Sequence, residues 1–315
     1  SYMQIDLTAH IPTNTGMLTL PNPVIGASGS FGHSNELFEV VDPNEVGAIT
    51  IKSLAQFVSL GNAAPRVAAV STGMMNSVGL PGPDIASWIE DGYLKIKESD
   101  GRFIMAIWGK TFDDYSKAAS LLAPIIGSFI ALEINLSCPN TESGNNLFAQ
   151  SASDTKEITS RVRKEIGIDI PISVKLSSGV TSITDIAGAA IDGGADILTL
   201  FNTSLGLALD PYTRKPLLGK GAGGYSGEGI LPIAQKGVFE VRKAFPDVGI
   251  IGTGGVSSGT QAASMMMCGA NAVGIATAVF ADPNAPVKIA HELKEFCFDI
   301  GVSNVSDLVG AIDLD

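Results

Sequence analysis

The chain is poor in cysteine, histidine and charge. Its 315 residues include 3 cysteines and 3 histidines, and only 17% are Asp, Glu, Lys or Arg. Cys138, Cys268 and Cys297 are too few and too far apart for a disulfide framework, which suits a reducing, cytoplasmic setting. No pair has C-x-x-C spacing, so the chain carries no zinc ribbon and no iron–sulfur ligand run. His10, His33 and His291 lack metal-ligand spacing as well, and no metal is expected. Basic residues are scarce. The 20 Lys and Arg against 32 Asp and Glu leave a formal net charge of −12, which speaks against nucleic acid and anionic membranes as partners. No run of about 18 apolar residues suggests a transmembrane helix, and no basic stretch followed by an apolar one suggests a secretory leader.

Apolar residues and glycine are plentiful. A hydrophobic content of 45% is enough for a large core and excludes a disordered chain. Short apolar runs alternate with longer amphipathic ones. The strand-like runs are Pro23–Ala27, Ala48–Lys52, Phe103–Trp108, Phe129–Leu136, Ile172–Leu176, Ile197–Phe201, Gly249–Gly252 and Ala272–Ala276. They are apolar on both faces, as buried parallel strands should be. Helix patterns fall at Phe112–Ile126, Ser153–Ile166 (starting at Ser153-x-x-Lys156), Thr184–Asp192, Leu231–Phe245, Thr260–Cys268 and Pro286–Ile300. Eight strands, most followed by a helix, predict an α/β fold of the (β/α)8 TIM barrel type, as one domain over residues 1–315. Gln4–Thr8 and Met17–Leu20 read as a hairpin that plugs the N-terminal face. Asn62–Leu80 and Asn202–Gly229 read as long loops on the C-terminal face, where barrel active sites lie. No internal repeat is evident. A Rossmann fold is disfavoured, since Gly26–Gly32 reads GASGSFG, with the wrong spacing for a dinucleotide fingerprint.

The chemistry concentrates at strand ends. In Glu133-Ile-Asn-Leu-Ser-Cys-Pro-Asn140 a lone cysteine sits in a loop between Asn135 and Asn140. A free cysteine is more often a small buried hydrophobe, which is the reading for Cys268 and Cys297. Cys138 lies outside an apolar run and suits a nucleophile or a general base. With no histidine at a strand end to pair with it, proton abstraction is favoured over acyl transfer. Lys52 and Lys175 close apolar strands and should point into the site. Each is suited to an anionic ligand or a reduced flavin, and Lys175 also to a Schiff base in aldolase-type chemistry. Asn76, Asn135, Asn140 and Asn202, with Thr203, are amides and a hydroxyl able to read a ring of N–H and C=O groups. Glycine-rich turns after the seventh and eighth strands, Gly252–Gly255 and Gly274–Thr277, mark a phosphate site and a ligand such as FMN. Gly219–Gly229 is too glycine-rich for a regular element and reads as a loop or lid. Met265–Met267 reads as core.

These motifs, in order and spacing, resemble the dihydroorotate dehydrogenase family over nearly the whole length. The matching stretches are Ala27-Ser-Gly29, Thr50-Ile-Lys-Ser53, Gly73–Leu80, Asn135–Asn140, Val174-Lys-Leu176, Phe201-Asn-Thr203, Gly223–Gly227, Gly252–Val256 and Ala276-Thr-Ala278. The resemblance implies an FMN-dependent barrel of pyrimidine biosynthesis that oxidises dihydroorotate to orotate. Cys138 would take the proton from C5, and the flavin N5 the hydride from C6. Lys52, Asn76, Ser77, Val78, Gly79, Leu80, Asn135, Asn140, Asn202 and Thr203 would bind the substrate. Ser28, Lys52, Ser53, Asn135, Lys175, Phe201, Gly227, Gly254, Gly255, Ala276 and Thr277 would bind FMN. A cysteine base implies the soluble class, and Asp210–Pro216 followed by GGYSG resembles the NAD-linked subclass (class IB). That subclass implies a homodimer and a second subunit with FAD and an iron–sulfur cluster. Ala106, Trp108, Ala276 and Glu228 depart from the family pattern, and a relative acting on another dihydropyrimidine, such as dihydrouracil, is the alternative.

Overall fold

A computed structural model describes residues 2–137 and 146–315. Eight parallel strands close into a barrel in chain order. They are β1 (Val24–Gly26), β2 (Ala48–Thr50), β3 (Phe103–Ile107), β4 (Ala131–Asn135), β5 (Ile172–Leu176), β6 (Ile197–Leu200), β7 (Gly249–Thr253) and β8 (Ala272–Ile275). Each falls within the expected apolar run, or within one residue of it, because a strand buried on both faces writes its length into the sequence as a mostly apolar segment.

The helices outside the barrel are α1 (Ile85–Glu90), α2 (Gly92–Lys97), α3 (Phe112–Leu122), α4 (Ala152–Ile166), α5 (Ile183–Asp192), α6 (Leu231–Ala244), α7 (Gly259–Cys268), α8 (Thr277–Ala281) and α9 (Ala285–Ile300). Several differ from expectation. α3 ends at Leu122 and a 3-10 turn continues to Ser128, because Pro124 has no N–H for the α-helical ladder. α4 starts one residue earlier than expected, capped by Ser151, whose hydroxyl accepts from Asp154 N–H, so the Ser153-x-x-Lys156 start is corrected. The short α1, α2 and α8 were not anticipated, since six residues or fewer are too few to show a helical period.

The barrel interior has two chemically distinct layers. Its lower half is apolar: Ile25, Ala48, Ile104, Ala131, Ile197, Ile251 and Ala272 form one buried cluster with Ala9, Ile11 and Leu20 of an N-terminal hairpin. That hairpin pairs Ala9–Thr13 with Gly16–Leu20 and plugs the N-terminal end. Its first arm is therefore displaced from the expected Gln4–Thr8. The tight turn at Asn14-Thr15, with Gly16 at φ 139°, sets the register. Gly249 admits the plug: a Cβ there would lie 2.8 Å from the Pro12 carbonyl oxygen. The upper half is polar, with Thr50, Glu133, Ser173, Lys175, Thr199 and Thr253 all buried. Barrel interiors are usually filled by bulky branched side chains, so this layer marks the functional end.

The two expected long loops are not irregular. Val67–Val70, Gly73–Asn76, Ser204–Gly206 and Gly223–Ser226 form a four-stranded antiparallel sheet above the C-terminal face, and Leu209–Asp210 pairs with Lys215–Pro216 as a small ribbon. The reading of Gly219–Gly229 as non-regular is thus corrected for Gly223–Ser226. Its glycines serve close approach: a Cβ at Gly224 would sit 2.1 Å from Thr203 Oγ1. An internal echo also appears that the sequence did not reveal. Arg163 of α4 donates to the carbonyls of Gly167, Ile170 and Gly194 and pairs with Asp196. Arg242 of α6, two βα units later, donates to those of Phe245, Val248 and Gly269 and to Asn271. Each arginine fastens the base of the following strands. No helix among the described residues is long and apolar enough to cross a membrane.

Candidate active site

At the C-terminal mouth lies a cleft of about 670 Å3, a size typical of small-molecule sites. Ten of the expected residues line it: Ser28, Lys175, Phe201, Asn202, Thr203, Gly227, Gly254, Gly255, Ala276 and Thr277. They come from the ends of β1, β5, β6, β7 and β8 and from the sheet above, so parallel strands that end together deliver them to one place.

Ser53 and Asn135 join this group through hydrogen bonds. Asn135 Nδ2 donates to Ser53 Oγ at 3.2 Å, and Ser53 Oγ meets Ser28 Oγ at 3.3 Å. Asn202 Nδ2 donates to Asn135 Oδ1 at 3.2 Å, and Ser137 Oγ donates to the same oxygen at 2.6 Å. The amide of Asn135 therefore links β1, β2, β4 and β6, and it holds Ser137 immediately before Cys138. Tyr115 of α3 fixes the Asn135 carbonyl, its hydroxyl donating at 2.6 Å. Cys138 and Asn140 lie outside the described residues.

A second group flanks the cleft. The Ser77 N–H donates to the Arg66 carbonyl and the Asn62 N–H to the Val78 carbonyl, and Ser59 Oγ donates to the Gly79 carbonyl at 3.3 Å. Asn76 stands opposite Gly224 in the sheet, and Leu80 takes φ 51°. Lys52 is half-buried; burial pushes its ammonium pKa below the ordinary lysine value, the nearby Arg66 adds to the shift and Glu36 opposes it. Burial, and then Lys52, hold the His33 imidazole low. Lys52 and Arg66 make a partly desolvated positive site suited to a carboxylate. Lys52, Ser77, Val78, Gly79 and Leu80 do not line the main cleft.

Among the described residues, four buried side-chain atoms have no hydrogen-bond partner: His33 Nε2, Ser77 Oγ, Glu133 Oε1 and Thr253 Oγ1. All four belong to the barrel mouth or to segments around it. Such atoms are rare in folded proteins because each forfeits its solvation, so their clustering here singles out this end of the barrel.

The sequence reading missed several cleft residues. Ser71, Thr72, Ser226, Ser257 and Glu228 also line the cleft, and Ser257 donates a hydrogen bond to Glu228. Arg66 and His33 were missed too. A basic residue after Pro65 within a long C-terminal-face segment was the available signal for Arg66; His33 carried none. Ala106, paired with Glu133 across β3 and β4, is fully buried. Trp108 packs edge-on against Phe57 at 5.2 Å.

Comparison with known proteins matches residues 11–297 to the family described as dihydroorotate dehydrogenase. The chain belongs to the dihydroorotate dehydrogenase family. A relative from Alkaliphilus oremlandii, named dihydroorotate dehydrogenase B (NAD(+)), catalytic subunit, is 37% identical over 94% of this chain and 96% of its own. One of the same name from Bacteroides thetaiotaomicron is 35% identical over 97% of this chain and 100% of its own. One from Aquifex aeolicus, provisionally named dihydroorotate dehydrogenase A (fumarate), is 36% identical over 92% and 94%. The protein is an FMN oxidoreductase that acts on the CH–CH bond of dihydroorotate, in pyrimidine biosynthesis. The alternatives, a dihydrouracil-type dehydrogenase and a Schiff-base barrel at Lys175, are not favoured.

The residues present fit FMN. The cleft has the volume for it, Lys175 offers a cation from the barrel wall, and the unpaired Thr253 Oγ1 stands at the end of β7. Gly254 and Gly255 have φ 135° and 78°, open to glycine and strained for other residues, and they turn the backbone along the cleft. Ala276 has φ −119°, so a side chain is accommodated where a glycine was expected.

Proposed function

We propose that Cys138 is the base that takes the C5 proton of dihydroorotate. Lys52 and the Asn76–Leu80 segment, with Asn135, Asn140, Asn202 and Thr203, hold the substrate. Ser28, Ser53, Lys175, Phe201, Gly227, Gly254, Gly255, Ala276 and Thr277 hold the cofactor, with contributions from Lys52 and Asn135. Bound FMN supplies the hydride acceptor. The observation that carries this reading is the Ser53–Asn135–Asn202 relay, which places paired amides beside the cleft and fastens the residue preceding Cys138. Amides that both donate and accept suit the alternating N–H and C=O groups of the substrate ring. Lys52 gives its carboxylate a partner already stripped of part of its water.

The test is anaerobic. The purified protein is expected to be yellow and to release FMN on denaturation, and dihydroorotate is expected to bleach it while dihydrouracil does not. A colourless protein that cannot be reconstituted with FMN, or one that dihydroorotate leaves oxidised, would sink the reading.

Electrons then pass to a separate subunit. The relatives named for NAD(+) are catalytic subunits, and among the described residues the glycine turns after β7 and β8 are the phosphate-type site, which goes to FMN. A partner with FAD and an iron–sulfur cluster, docked on a homodimer in the cytoplasm, completes the reading. Leu205, Leu207, Leu209 and Tyr212 are exposed on and beside the projecting sheet, which supports protein contacts there. Accordingly the isolated chain should reduce NAD+ only slowly, and fumarate slowly as well. Rapid turnover with either acceptor would contradict the need for a partner.

Glu228 adds a consequence for affinity. Its carboxylate lines the cleft next to the glycine turns that would take the phosphate. Glu228→Gln keeps an acceptor for Ser257 and removes the charge. FMN binding to the apoprotein should tighten by about two- to fivefold, less at high salt. A titration showing equal or weaker binding would place the phosphate elsewhere.

A further inference from the structure

Glu133 lies on β4 two residues before Asn135, inside the barrel and beneath the cleft, and is 3% exposed. Thr199 Oγ1 donates to its Oε2 at 3.0 Å, and Ser173 Oγ lies 2.7 Å from the same threonine hydroxyl. Its Oε1 has no partner among the described residues. Glu133, Thr253 and Lys175 line a small space of about 10 Å3 in the floor beneath the cleft, about the room one water molecule takes. Lys175 lines both this space and the main cleft above it. It is 7% exposed, and no ion pair within 4 Å holds it among the described residues. Of the residues lining the floor, Glu133 and Lys175 are the two that ionise. Those from β1, β2, β6, β7 and β8 are apolar or carry hydroxyls.

We propose that Glu133 is a positioning residue for the flavin site: from the barrel floor it balances the charge of Lys175, and it takes up a proton from solvent when negative charge is placed against Lys175 from above. The inference rests on the reading that FMN occupies the cleft beside Lys175. A buried carboxylate and an anion in the cleft compete for one ammonium, and in a weakly screened interior that competition is strong. Protonating Glu133 ends it, and by linkage the anion then binds more tightly. Burial raises the Glu133 pKa, Lys175 and the Thr199 hydrogen bond working against the rise, so burial favours the protonated form.

The sign follows from the charges. At low pH Glu133 is neutral and resembles glutamine. At high pH it is ionised, offsets Lys175 and weakens the hold on an anion. Sulfite, which adds to protein-bound oxidised flavin and leaves negative charge on the ring, is the probe. With the FMN-loaded protein, Glu133→Gln should bind sulfite as tightly as the parent at low pH and about tenfold more tightly at high pH. The parent-to-variant ratio cancels the titration of sulfite itself. A ratio that does not change with pH overturns the proposal. A second measurement needs no variant. At a pH where Glu133 is ionised in the sulfite-free protein, infrared difference spectra of the parent should gain a protonated-carboxyl C=O stretch when sulfite binds, shifted in D2O; its absence there would equally overturn the inference. Glu133→Gln, if it folds, should lack the band. Failure of the FMN reading would look different, since neither protein would then show a bound-flavin spectrum.

Discussion

Cys138→Ala should leave FMN in place and slow flavin reduction by dihydroorotate by about 10²- to 10⁴-fold, the usual contribution of a positioned acid–base group. The reasoning is chemical. The C5 proton needs an acceptor, and alanine provides none. Apart from Asn135, the proposed flavin contacts come from other strands and their loops, so colour and FMN stoichiometry should persist. Cys138→Ser should keep a small activity that rises toward higher pH, because a hydroxyl is a poorer base than a thiol near neutrality. Stopped-flow bleaching under anaerobic conditions measures both variants against the parent. An alanine variant of full activity would show Cys138 to be structural, and the base would have to be sought elsewhere in the cleft.

Lys52→Met should raise the KM for dihydroorotate by about 100-fold with a smaller fall in kcat, since truncating one member of a desolvated charge pair leaves the other unpaired. Methionine keeps much of the stem, so local packing changes little. The pH dependence has a definite sign. Burial and Arg66 hold the Lys52 pKa below the ordinary lysine value. The ammonium is therefore lost as pH rises through that lowered value, and orotate and dihydroorotate should bind more weakly at a pH where a free lysine would still be charged. For the apoprotein, this group makes stability rise with pH between the lowered pKa and the ordinary one, because the unfolded chain holds the proton more tightly. Orotate titrations of the flavin spectrum across the alkaline range test the binding, and urea unfolding of the apoprotein tests the stability. A KM unchanged in Lys52→Met would move the carboxylate away from this lysine.

The barrel was legible because its signals are local. Ile172–Leu176 and Ala131–Asn135 are mostly apolar over a strand's length, whereas the helix ends at Pro124 and Ser151 were missed by a few residues. Lys175, Asn202 and the Gly254-Gly255 turn were legible as site residues for a related reason. Polar or conformationally special residues at the end of an apolar strand must surface at the barrel mouth. The motif around Cys138 was legible as a resemblance, although the residue itself lies outside the described structure.

Other features depend on which distant segments meet. Gly223–Ser226 contains two glycines, and only its pairing with Gly73–Asn76 and Ser204–Gly206 makes it a strand. Arg66 and Lys52 are 14 positions apart with nothing in their immediate neighbours to couple them; the returning sheet brings their charges together. In the sequence, Glu133 is a lone acid within an apolar run. Closing the barrel sets it beneath Lys175 and against Thr199, with one oxygen unpaired. By itself the sequence determined the elements and which strand ends carry chemistry, because backbone propensity and burial act over a few residues. Tertiary structure decided the charge and hydrogen-bond partners of each group, because electrostatic and hydrogen-bond energies depend on distances between residues far apart in the chain.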